Sequence, residues 1–356
     1  MNLFFLSNQV YQLSYAKTIY QKIGGTFIVS NYRKLAKFKW HLRQGITLSE
    51  KRENRAPKII RRDIKNLDDL KGIFISQSNT RIINGCDQVV KIFIGHGTGD
   101  KKYGGNPEIL LSYDYHFISG PKHLVKLNDV GINITKERLI PIGNPRFDDY
   151  LDIKNKKKYL SFIEVKNKSL PVVLYAPTWK WGGGTLRKLV FKLARKLSGR
   201  YNLIVRPHHF DTHLLPLLKL WSYSEDIGNI YFSNPNNILN EDTMEVFAAS
   251  DILISDTSSL IYEFLITGKP IIRVKTEDDQ DLHAMPSEMT ILGKSDVIDP
   301  ENIEFILEKI NFNLNEQPYK KVYKKLLMDC FYFNDGQSTN RAIDFISQCG
   351  KDYLDV

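Results

Sequence analysis

The 356-residue sequence predicts an α/β fold made of two doubly wound units in succession, each around a parallel sheet. Three observations lead there. Short apolar runs of strand length alternate with apolar-periodic segments of helix length, the signature of β-α-β winding. The alternation runs twice, and between the two series residues 152–168 are dense in lysine with no strand alternation, as a linker with a helix would be. The length also exceeds one ordinary domain and suits two of comparable size. The expected division is 1–150, 151–330 and a closing helical segment 331–356.

In the first unit, residues 2–7 read as a buried strand, 11–23 as a helix ended by Gly24 and Gly25, and 26–30 as a second strand. Residues 58–61 and 72–76 are strand-like, and 89–94 form a strand that runs into Gly95-His96-Gly97-Thr98-Gly99-Asp100-Lys101-Lys102. Residues 109–119 hold more apolar side chains with His116, read as a core or strand histidine, and the turn-rich 139–148 closes the unit. The second series starts with a strand at 171–175 ending in Ala176-Pro177-Thr178-Trp179-Lys180-Trp181, then three glycines and an amphipathic helix over 185–197. A strand at 201–205 delivers Arg206-Pro207-His208-His209, where the proline fixes the local backbone. Residues 229–233 give another strand and 243–249 a helix. Then comes the stretch 251–270, read as a strand, a tight turn of Asp256, Thr257, Ser258 and Ser259, and a helix stopped by Gly268 and Pro270. Residues 269–275 continue the sheet, and the tail from Glu301 is helical, with a turn at Asp335-Gly336 before a last helix from Thr339.

Open α/β sheets bind ligands beyond the carboxyl ends of their strands, and four of these loops end there. The glycines around His96 let backbone approach a ligand, while His96 offers a base near neutral pH and Lys101 offers charge. The hydroxyl cluster at 257–259, at the start of a helix, suits an anion such as phosphate, although Asp256 or Thr257 could equally be a plain helix cap. If the halves face each other, His96, Thr98 and Lys101 meet Thr178, Arg206, His208 and residues 256–259 in one cleft. Two histidines, a guanidinium and hydroxyls suit attack of an acceptor hydroxyl on a nucleotide diphosphate ester. No Walker loop, dinucleotide fingerprint or nucleophile elbow is present. His208, His209 and His213 lack a matching carboxylate or cysteine set, so neither a metal nor a cofactor is expected.

The formal charge of +10 and a pI near 9.2 call for anionic partners. Basic residues between Arg33 and Arg62 are interleaved with Tyr32, Phe38 and Trp40, a mixture that suits a lipid headgroup layer, nucleic acid or a solvated face. Cys86, Cys330 and Cys349 make no disulfide or zinc pattern, and no secretory signal or membrane span is read, so a reducing cytosol is the expected compartment.

In order and approximate spacing, several motifs resemble those of the CDP-glycerol glycerophosphotransferases, the teichoic-acid primases and polymerases and their relatives in capsule synthesis. They are Gly95-His96-Gly97-Thr98 with its lysines, Tyr175-Ala176-Pro177-Thr178-Trp179, Arg206-Pro207-His208, Ser255-Asp256-Thr257-Ser258-Ser259, Lys269-Pro270-Ile271-Ile272 and Asp335-Gly336. The resemblance covers about residues 89–341 and implies a GT-B architecture of two facing Rossmann-like domains, the second holding the nucleotide. It implies that His96 is the base on the acceptor hydroxyl and that His208, Thr257, Ser258 and Ser259 bind the donor phosphates. Gly97, Thr98, Lys101, Thr178, Arg206, Asp256 and Glu263 complete the expected substrate-binding set. The implied reaction moves a polyol phosphate from a CDP-alcohol to a lipid-linked or polymer acceptor at the cytoplasmic face of the membrane, releasing CMP. An anionic membrane surface is then a partner, and nucleic acid is not. Where the family often has proline, this chain has Gly99 after His-Gly-Thr and His209 after Arg-Pro-His, departures that bear on donor and acceptor identity more than on reaction type. The alternative of the same architecture is a nucleotide-sugar glycosyltransferase; from another class, a nucleic-acid-binding protein would use the basic region.

Overall fold

The computed structural model describes residues 2–43, 58–62, 70–80, 89–102, 106–155, 158–180, 183–276 and 282–354. Lys51, Arg52 and Arg55 of the basic stretch, Cys86, and Trp181 and Gly182 of the glycine-rich loop lie outside the described residues.

Two parallel sheets organise the chain. The first has seven strands: β1 (Leu3–Leu6), β2 (Thr26–Val29), β3 (Lys58–Arg61), β4 (Gly72–Ser76), β5 (Val89–Phe93), β6 (Tyr115–Ile118) and β7 (Leu139–Pro141), in the order β3-β2-β1-β4-β5-β6-β7. The second has six: β8 (Val172–Tyr175), β9 (Asn202–Val205), β10 (Ile230–Phe232), β11 (Ile252–Ser255), β12 (Ile271–Val274) and β13 (Asp296–Ile298), ordered β10-β9-β8-β11-β12-β13. Both are doubly wound, and each reverses direction beside its first strand, at β1/β4 and at β8/β11. Those reversal points open a crevice past the strand ends in each sheet.

Strands covered on both faces read as continuous apolar runs, and β1, β4, β8, β9, β11 and β12 are buried throughout. Phe5, Ile75 and Ile92 centre the first core; Leu174, Leu253 and Ile271 centre the second, with Val173, Ile254 and Ile272 facing the opposite layer. Each such side chain contributes roughly 1.5–3 kcal/mol on burial. The last helix, Ser338–Leu354, returns to the first sheet: Ala342, Ile346 and Cys349 share the core of Phe5 and Ile75. Its entry is fixed by Asp148, whose carboxylate accepts the Ser338 and Thr339 N–H groups at 3.2 and 2.6 Å.

The structure departs from the expected elements at several places, and it adds the helices Tyr32–Arg43 and Pro121–Asp129 where no element was assigned. Residues 11–23 divide into a 3-10 helix, Val10–Tyr15, and an α-helix, Lys17–Ile23. The Gln12 side chain folds back onto the Gln9 N–H at 3.0 Å and tightens the first turn. Residues 139–148 hold β7 and then a helix, Pro145–Asp152, whose Asn144 cap and first-turn proline are start signals embedded in what reads as a turn. The helix Leu215–Ser224, apolar on several faces with Leu217 and Leu220 exposed, escapes the periodicity test, and so does the three-residue β13.

Candidate active site

The loop after β5 crosses to the second sheet and lies against the turn after β11. Gly97 has φ +79°, and a Cβ there would stand 2.8 Å from Ser259 Oγ; at Gly99 a Cβ would fall 2.8 Å from Ser259 Cα. Any side chain would push the halves apart, which is the physical content of the Gly-His-Gly-Thr-Gly spacing. Between the walls lies a cleft of about 230 Å³ lined by His96, Thr98, Lys101, Thr178, His208 and Ser258 among others. A smaller cavity of about 90 Å³, bordered by Tyr11, Arg146, Arg206 and His209, shares His96, His208, Ser258 and Ser259 with it.

His96 is partly buried and held by Gln77 and Gln12. Its Nδ1–H donates to the Gln77 carbonyl at 2.5 Å, and since a carbonyl only accepts, the proton sits on Nδ1 and Nε2 keeps its lone pair. The Gln12 amide lies 3.3 Å from both ring nitrogens. Gln12 Oε1 accepts from the Asn8 N–H, the Gln9 N–H and the Ser78 hydroxyl at 2.9, 3.0 and 2.6 Å, so its NH2 is the end turned to the imidazole. Burial pushes the His96 pKa below its usual value; the Gln77 carbonyl opposes this and the Lys126 ammonium adds to it.

His208 is wired in the opposite sense. Its Nδ1 accepts the Phe210 N–H at 3.4 Å, which leaves the neutral ring's proton on Nε2. Trp179 stacks on the ring at 6.2 Å, and burial, Lys101 and His96 push its pKa down to about 3. His209 stacks on Tyr11 at 4.1 Å, with its pKa brought to about 2 by burial and by His208. The Tyr11 ring also stands 6.0 Å from His96 and 6.2 Å from His208 and so bridges the two.

Several residues expected to touch substrate are engaged inside the protein. Asp256 is fully buried and accepts from the Thr178 N–H at 2.8 Å and from the Thr185 N–H and hydroxyl at 3.1 Å, which ties the β8 and β11 loops together. Arg206 spans Ser233 and Thr243 at 2.6 and 3.1 Å, with its Nε facing no acceptor among the described residues. Glu263 borders the cleft but has no exposed surface; its oxygens accept from the Tyr15 hydroxyl at 2.6 Å and Arg146 Nη1 at 2.5 Å. Lys101 donates to the Thr178 hydroxyl at 3.2 Å and so clasps the two walls. Thr98 and Thr257 carry buried hydroxyls with no partner among the described residues, and Gly97 and Ser259 form the contact already described.

Sequence reasoning missed Gln12, Gln77, Tyr11, Tyr15 and Arg146, which sit in segments with no local signature of chemistry. It also missed that Asp100 is an interdomain clasp: the carboxylate pairs with Lys122 and receives the Tyr262 hydroxyl from the second half, while Lys122 reaches the Met289 carbonyl at 2.7 Å. Among the described residues no group of three or more His, Cys, Asp or Glu is placed to hold a metal ion, and no helix is long and apolar enough to cross a membrane.

Comparison with known proteins gives this geometry a family. The chain is similar to the teichoic acid glycerol-phosphate primase of Bacillus subtilis, 26% identical over 212 residues, which are 54% of this chain and 52% of that protein. It is 27% identical to the teichoic acid poly(glycerol phosphate) polymerase of Staphylococcus epidermidis over 186 residues, 49% of this chain and 24% of the other. The chain thus spans about half or less of the length of these curated relatives. Among solved structures, the wall teichoic acid polymerase TagF superposes with a TM-score of 0.72 at 17% identity, covering 100% of this chain and 90% of that one. A UDP-GlcNAc 2-epimerase from Neisseria meningitidis gives 0.58 at 14%, covering 97% and 99%. These likenesses show the GT-B fold, and the model of CDP-glycerol:poly(glycerophosphate) glycerophosphotransferases matches residues 29–348, so the chain belongs to that family.

Proposed function

We propose that this protein transfers a polyol phosphate from a CDP-alcohol to an acceptor hydroxyl and releases CMP. The observation that carries the reading is the pair of histidines facing one cleft from opposite walls with opposite ring nitrogens protonated. The acceptor hydroxyl donates to His96 Nε2, and its oxygen attacks the phosphorus of the polyol phosphate. The bridging oxygen leaves with the bonding pair as part of CMP, and the acceptor's proton ends on His96. His208 Nε2–H, the hydroxyls of Thr257, Ser258 and Ser259, and Lys101 stabilise the charge that gathers on the departing phosphate. Glu263, Asp256 and Arg206 act on substrate through the groups that they hold in place, with Thr98 and Gly97 shaping the first wall. In this reading residues 1–150 take the acceptor, 151–330 hold the nucleotide and 331–356 close the first unit.

Incubating the protein with CDP-glycerol, CDP-ribitol and a panel of UDP- and CMP-sugars, with a lipid-linked acceptor, tests the reaction. Release of CMP from a CDP-alcohol with a phosphorylated acceptor supports it; turnover of sugar nucleotides alone overturns it in favour of a glycosyltransferase.

The acceptor is a lipid-linked or polymer chain at the cytoplasmic face of a membrane. The helix Tyr32–Arg43 supports this part, since Tyr32 and Trp40 are 71% and 68% exposed beside Lys34, Lys37 and Lys39. Sedimentation with anionic vesicles that high salt reverses is the expected result; no association, or association insensitive to salt, counts against it.

A further inference from the structure

We propose that the second half holds a single anion of halide size, chloride being the abundant one, in a small cavity behind the turn that carries Thr257, Ser258 and Ser259. Arg273 and the Thr257 hydroxyl are its ligands. The inference goes beyond the transfer reading and does not depend on it.

The cavity measures about 10 Å³, with Arg273, Asp256, Thr257, Tyr262, Leu282 and Ile291 on its walls. Arg273 lies near the carboxyl end of β12, opposite Ser255 of β11 in the parallel register. Side chains two apart on a strand share a face, so Arg273 follows Ile271 into the layer of Ile261, Tyr262 and Ile291. The guanidinium enters that layer from a residue only 7% exposed. Its Nε is buried with no acceptor, and no carboxylate among the described residues pairs with it. The Thr257 hydroxyl, on the same cavity, is likewise buried and has no partner among the described residues.

A guanidinium does not give up its proton in a protein, so burial cannot neutralise it, and a buried charge without a counter-charge is costly. The two carboxylates on the cavity wall are engaged elsewhere. Asp100 pairs with Lys122 and takes the Tyr262 hydroxyl, while Asp256 accepts from the Thr178 N–H and from the N–H and hydroxyl of Thr185. The complement of Arg273 and Thr257 is therefore an acceptor that carries charge, and the cavity sets its size, since about one water-sized sphere fits. A phosphate or an organic carboxylate is too large; a monatomic anion is not. In that position it accepts from both side chains, ties β12 to the 257–259 turn and stiffens the wall behind the donor side of the cleft.

The test is thermal unfolding of the full chain at fixed ionic strength, with sodium chloride exchanged for sodium gluconate, and with sodium bromide and sodium sulfate as further arms. Between about 1 and 100 mM, chloride and bromide are expected to raise the midpoint by roughly 2 °C in a saturable way, and gluconate and sulfate are not. General salt effects run in the other order, with sulfate the stronger stabiliser, so a sulfate effect equal to or above that of chloride overturns the proposal. In Arg273→Met the halide dependence disappears; a dependence that survives the substitution overturns the assignment. A wild-type crystal soaked in bromide needs no variant. An anomalous peak between Arg273 Nε and Thr257 Oγ1 together with the solution effect supports the site. No peak overturns it, and so does a peak with no halide effect in solution, the mark of an adventitious ion only.

Discussion

His96 and His208 face the same cleft, and the backbone treats them in opposite ways. On the first wall the Gln77 carbonyl accepts the Nδ1–H and leaves the lone pair on Nε2, beside the Gln12 amide. On the second, the Phe210 N–H donates to Nδ1 and leaves the proton on Nε2. Residue type is the same and chemical sense is reversed: one ring is built to accept a proton and the other to donate a hydrogen bond. The supports differ too. His96 leans on Gln12, from the 3-10 helix Val10–Tyr15, and through it on Ser78, whereas His208 has the Trp179 ring stacked on it and the Tyr11 ring tilted against it, each at 6.2 Å. In the proposed reaction the hydrogen bonds around His96 would orient a base toward the acceptor, and the ring contacts of His208 with the rigid Pro207 before it would hold a phosphate ligand.

This contrast can be broken at several strengths. The largest effect is expected for His96→Ala, which removes the base and lowers kcat by about 10²–10⁴-fold, measured by CMP release; a loss below tenfold would place the base elsewhere. Next is the pin beneath both walls. Arg146→Ala leaves Glu263 as an unpaired buried carboxylate and is expected to cost about 3–5 kcal/mol in denaturant unfolding, with a cost under 1 kcal/mol arguing that the pair is incidental.

A milder, second-wall change is the double variant Ser258→Ala with Ser259→Ala. It removes two hydroxyls from the donor side and should weaken CDP-alcohol binding by roughly 1–3 kcal/mol; unchanged affinity would remove these residues from the phosphate site. The smallest effect sharpens the first wall. Because the His96 pKa lies below the ordinary 6.5, the acid limb of kcat/KM should lie below pH 6.5. Removing the nearby positive charge in Lys126→Met makes protonation easier and moves that limb to higher pH. A shift to lower pH would contradict the placement of Lys126.

Much of this site was legible because its chemistry sits at strand ends. The Gly95-to-Lys101 loop, Thr178, His208 and the 257–259 turn all follow apolar runs that could only be strands, and the winding rule sends such loops to one edge of the sheet. The two-sheet plan followed from the same runs. What could not be read was partnership. Nothing about Gln12 or Gln77 in the chain marks them as the holders of His96, since their role depends on β1 and β4 lying side by side, a pairing across about seventy residues. Arg146 was hidden inside an Asn-Pro sequence that reads as a turn and is in fact a capped helix start. Asp256, Arg206 and Glu263 carry the residue types of a binding site, yet the fold turns each of them to partners within the protein, a distinction that depends on burial and not on sequence spacing.

The division of labour between the walls is tested most directly by titrating CDP-glycerol into His96→Ala and His208→Ala and measuring the dissociation constants. The account predicts an affinity within about threefold of the wild type for the first variant and a loss of at least about tenfold for the second. Donor affinity lost in His96→Ala and retained in His208→Ala would contradict it.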